Sequence, residues 1–161
     1  MSELRESSRR PTTPSPDEAV LAEARTRSGQ GAAASLLRTL GAIAVLVVGA
    51  MHLEQYFAVK IDAVRIIGPL FVLNFAGATL IGAGLLIPAA RMRPLHLPLA
   101  LGGIGLAATA FVFLFISEHQ PLFGFQEHNY RTAIVVALAA EAVAVVSLLA
   151  YLAFRRRALA N

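Results

Sequence analysis

Three sets of side chains hold what chemistry this 161-residue chain can offer. The first is in "MHLEQYF", residues 51–57, where His52 and Glu54 interrupt an apolar run. A neutral imidazole can ligate a metal or a haem iron, and a bundle haem takes two histidines from facing helices. His119 is the partner at a matching level, so His52 and His119 are the candidate cofactor-binding pair. The second set widens this to a metal: His52, Glu54, Glu118, His119, Glu127 and His128, with Asp62 nearby, supply donors suited to zinc or copper. Their spacing carries no metal motif, since there is no His-Glu-x-x-His and no pair of histidines four apart. The adjacent pairs at 118/119 and 127/128 read as wet loop residues.

The third set is Glu141, Asn74 and Thr109, isolated in long apolar runs. Glu141 lies nine residues into its run, about 13 Å deep at 1.5 Å per residue. An ionised carboxylate at membrane depth costs roughly 2.5–3.5 kcal/mol, so a neutral, hydrogen-bonded Glu141 is expected. Asn74 and Thr109 fall at the same level and are the predicted partners. Interhelical glue and a proton or cation relay are the two roles open to such a cluster.

The elements that must position these groups are apolar helices. Hydrophobic residues make up 57% of the chain and charged ones 15%, which argues against a water-soluble domain. Uncharged stretches separate Arg65 from Arg91 and Arg93 from Glu118, and only Glu141 breaks the stretch from Arg131 to Arg155. Each exceeds the roughly 20 residues a helix needs to cross a bilayer. The first run is shorter; it spans if the helix begins near Ala33 and Arg38 snorkels its guanidinium back to the head groups. The predicted spans are 33–57, 66–88, 97–117 and 132–154, within a membrane domain of residues 31–157 and ahead of a short cytoplasmic tail, 158–161. Residues 1–30 are polar, rich in Pro, Ser and Thr, and predicted to form a disordered cytoplasmic tail. Within it, "SPDEAVLAEARTR" carries N-cap and helix-former signals.

The expected fold is therefore all-α: an integral membrane, antiparallel four-helix bundle with a disordered N-terminal tail. Small residues four apart, Ala78 with Gly82, Gly103 with Ala107 and Ala140 with Ala144, are the expected close-packing sites. Of the 14 Lys and Arg residues, 11 lie in the termini and the middle loop against three in the other two loops. That asymmetry predicts cytoplasmic termini in a plasma membrane and assigns the chain's basicity to topology, with lipid and not nucleic acid as its partner. His52 lies about 200° around the helix from Glu54, so one points into the bundle and the other away; His52 is placed inward.

The absence of cysteine excludes disulfides, thiolate metal sites and iron–sulfur clusters. No phosphate-binding loop and no Ser/His/Asp grouping is visible. The stretches "MHLEQYFAVKIDAVRIIGPLFVLNFAGATLIGAGLL" and "LFGFQEHNYRTAIVVALAAEAVAVVSLLAYL" resemble small four-span integral membrane proteins of high-GC bacteria, over about residues 35–155. The resemblance implies fold and topology, with His52, Asn74, Glu127 and Glu141 in the resembling stretches, and brings no activity with it. The expectation is a non-enzymatic accessory or interaction subunit with a membrane-protein partner or a second copy of itself. The alternatives are a haem- or metal-binding electron-transfer protein and a proton-coupled transporter or channel subunit centred on Glu141.

Overall fold

The computed structural model describes residues 15–58, 66–121, 123, 126 and 131–160. These are helical almost throughout: α1 (Pro16–Ala58), α2 (Ile67–Leu86), α3 (Ala89–Met92), α4 (His96–His119) and α5 (Thr132–Ala160). Among the described residues four helices are long and apolar enough to cross a membrane. Their solvent-facing sides bear large apolar groups, Leu80 among them at 75% exposed, as expected of surfaces that meet hydrocarbon.

α1 starts far earlier than the predicted span. Ser15 and Glu18 close a capping box: the Ser15 amide donates to Glu18 Oε2 at 2.8 Å, and the Glu18 amide to Ser15 Oγ at 3.2 Å. Pro16 occupies the first helical position, where a missing N–H costs nothing, and Asp17 and Glu18 place negative charge at the positive end of the helix dipole. One turn on, Arg27 Nη2 pairs with Glu23 Oε1 at 2.6 Å, an i,i+4 contact. Residues 16–30, expected to be disordered, thus continue the first apolar helix outward as an exposed polar extension, because local capping and strong helix formers suffice there. Residues 1–14 of the expected tail lie outside the described residues.

Packing depends on small residues. The predicted pairs Ala78/Gly82, Gly103/Ala107 and Ala140/Ala144 are all buried. A Cβ placed on Gly49 of α1 would stand 2.7 Å from that of Ala78 on α2, and one on Gly82 would stand 2.6 Å from Leu46 Cγ. Gly41 on α1 and Gly103 on α4 both make room for Leu148 of α5, with Val45 and Ile81 beside it. α1 lies against α2 and α5, and α4 against the same two helices. This leaves the two ends of the bundle to be closed by longer side chains.

At the end where α2 finishes, Arg38 is only 8% exposed, not extended to the head groups as expected. Its Nη1 donates to the carbonyls of Leu85 and Ile87, each at 2.7 Å. The last carbonyls of a helix have no intrahelical partner and carry its negative dipole end, so a guanidinium from α1 finds there what water would otherwise supply. Both Nη1 hydrogens are thereby used. His96 Nε2, 3.1 Å from the same Ile87 oxygen, therefore donates to it, and its 3.3 Å approach to Nη1 is two donors around one acceptor. The short α3 follows directly.

Candidate functional site

At the opposite end, where α1 and α4 finish and α2 and α5 begin, the helices part around a cavity of about 420 Å³. That is within the range of small-molecule sites. Helical periodicity explains the lining: Leu70, Asn74 and Gly77 recur on one face of α2; Leu106, Thr109, Phe113 and Ser117 on one face of α4; Ile134, Ala137 and Glu141 on one face of α5. His52 and Gln55 close it from α1. The walls are mainly apolar, with Phe71 and Phe113 supplying aromatic rings.

Three of the six polar residues around the cavity are already committed. His52 donates from Nδ1 to the Val48 carbonyl at 2.9 Å, and its ring lies 4.9 Å from that of Phe71. Ser117 Oγ donates to Leu114 O at 2.8 Å. Gln55, buried, accepts from Arg131 Nη2 at 3.0 Å, which ties the end of α1 to the start of α5. Two oxygens are left over. Glu141 is 3% exposed, yet its Oε2 has no hydrogen-bond partner, and neither has the buried Oδ1 of Asn74. The hydrogen bond expected from Glu141 to Asn74 or Thr109 does not form at these atoms, although all three residues line the cavity. The great majority of buried polar atoms are satisfied, so an orphan pair on two residues that line one cavity calls for a reason.

The other predicted residues are dispersed. Glu54 is exposed on the far side of α1 from the cavity-lining His52, as the 200° offset required. His119 stands exposed on the last turn of α4, its Nδ1 donating to Phe115 O at 2.8 Å, and does not line the cavity. The His52/His119 pair is thus not gathered into one cavity. Glu118 is half-buried beside His119; Glu127 and His128 lie outside the described residues. Among the described residues no three His, Asp or Glu side chains come together to hold a metal ion.

Gln55, Ser117 and Gly105 also line the cavity and were not foreseen. A signal existed for the first, since Gln55 is three residues past His52 and shares its face. The Arg38–His96 contact had no sequence signal, being a meeting of separate helices. Arg155 lies within electrostatic range of His96, and its Nη1 is buried without a hydrogen bond.

Chemically, the cavity can hold a compact, mostly apolar molecule and bind one polar end of it. The Ser117 hydroxyl donates to the Leu114 carbonyl and not to His52, whose Nδ1 donates to Val48 O. Compared with protein families, curated proteins and solved structures, the chain matches none.

Proposed function

We propose that this chain is a non-enzymatic integral membrane protein of the bacterial plasma membrane that holds a small, largely apolar molecule between its helices as an accessory or ligand-binding subunit. Its four long helices cross the bilayer as an antiparallel bundle with both termini cytoplasmic. The pairing of Gly49 with Ala78 and of Gly82 with Leu46, in opposite order along α1 and α2, supports that arrangement, as does the charge asymmetry of the loops. The cavity then lies in the outer half of the membrane and the Arg38–His96 closure at the inner surface. The observation that carries the reading is Glu141, 3% exposed and with an unpartnered Oε2, among the residues of four helices that line one cavity.

Native mass spectrometry of the solubilised protein tests this. The wild type retains a small-molecule adduct and Gly105→Leu, which fills the cavity, does not. A wild type that flies only at the bare polypeptide mass counts against the proposal.

A further inference from the structure

We infer that the cavity receives the ammonium head of a lipophilic amine, with Glu141 as its counter-ion and Asn74 as a second acceptor. This rests on the ligand-binding reading above and names the ligand's chemistry. The two atoms that lack partners are both oxygens, a carboxyl Oε2 and an amide Oδ1, so what they lack is hydrogen-bond donors. An ammonium carries three donors and no acceptor, and Thr109, which also lines the cavity, is within the same lining for the third.

Charge points the same way. Among the described residues no Lys or Arg lines the cavity, and the imidazole there, His52, already donates its Nδ1 hydrogen to Val48. Arg131, at the start of α5, donates to Gln55. Among the described lining residues no cation stands ready to offset the negative charge of a carboxylate or phosphate ligand. A cationic ligand instead supplies the counter-charge that a carboxylate removed from water requires. The remaining surface fits the rest of such a molecule, because Phe71 and Phe113 add aromatic surface to the lining and Leu70, Leu106 and Ile134 complete an apolar shell.

The test uses the full chain in lipid nanodiscs, with empty nanodiscs as the blank, and two fluorescent probes of matched shape: 1-naphthylmethylamine, charged at neutral pH, and 1-naphthylmethanol, neutral. A charge-assisted hydrogen bond exceeds a neutral one enough to make the amine bind about tenfold tighter to the wild type. Glu141→Gln should bind both probes alike. Equal affinities in the wild type, tighter binding of the alcohol, or an amine preference that survives Glu141→Gln overturns the cation assignment while leaving the ligand-binding reading in place. No saturable binding of either probe overturns that reading itself, and the inference with it. The wild-type comparison needs no variant to fold.

Discussion

Arg38 Nη1 donates to the carbonyl oxygen of Leu85 over 2.7 Å, from the middle of α1 to the last turn of α2. With the second bond to Ile87, one cation satisfies two helix-end carbonyls in a buried setting. Arg38→Leu should therefore cost about 2 kcal/mol, the range of charged hydrogen bonds, read as a lowered unfolding midpoint in detergent. Arg38→Lys should recover part of the loss, since an ammonium presents charge without the planar fork. A wild-type midpoint for Arg38→Leu contradicts the role given to this contact.

Two glycines offer a contrast. A Cβ on Gly49 would meet the Ala78 Cβ at 2.7 Å, whereas a Cβ on Gly105 meets nothing within 4 Å. Gly49→Ala forces two backbones apart and should destabilise by roughly 1–3 kcal/mol. Gly105→Ala removes only backbone freedom from a helix and should stabilise by about 0.5–1 kcal/mol. Denaturant unfolding of both variants checks the signs; the same sign for both refutes the packing described for α1 and α2.

Glu141 gives the sharpest separation between glue and ligand site. If its Oε2 is held without a partner for the sake of a ligand, Glu141→Leu should raise the stability of the empty protein by about 1–3 kcal/mol and weaken amine binding about tenfold. If the carboxyl glues helices together, the same change lowers stability. Thermal unfolding with and without 1-naphthylmethylamine distinguishes the two.

Topology is open to direct labelling because the chain has no cysteine, so any thiol introduced is the only one. Ser28→Cys on the polar extension of α1 and Gln120→Cys just past α4 should react with a membrane-impermeant maleimide from opposite sides of an oriented vesicle. Leu80→Cys, at a position 75% exposed but facing lipid, should react from neither. Reaction of Leu80→Cys with the aqueous reagent contradicts the membrane reading.

The four long helices were legible in the sequence because charge segregation marks a membrane helix more plainly than any periodicity. α2 and α4 fall within two residues of their predicted limits. α1 starts earlier than its predicted span because the N-cap and helix-former signals of "SPDEAVLAEARTR" join the apolar helix, with Ser15 and Glu18 closing a capping box that only the structure shows. For the site, Asn74, Thr109 and Glu141 could be found as polar residues at one depth and His52 as an inward-pointing residue at a helix end, and all four line the cavity. The cavity itself could not be read: whether residues at one level touch or stand apart depends on how closely the glycines let the backbones approach, and that is a property of the assembled helices. The same limit hid the turning inward of Arg38, whose acceptors belong to another helix.

The most direct test of the central claim follows Glu141 Oε2 itself. Difference infrared spectroscopy on nanodisc-embedded protein, with and without 1-naphthylmethylamine, reports the carboxyl stretch. The account predicts a carboxyl band that changes when the probe binds and that is missing from Glu141→Gln. Saturable binding with no change in that band would place the ligand elsewhere and contradict the assignment of Glu141 to the site.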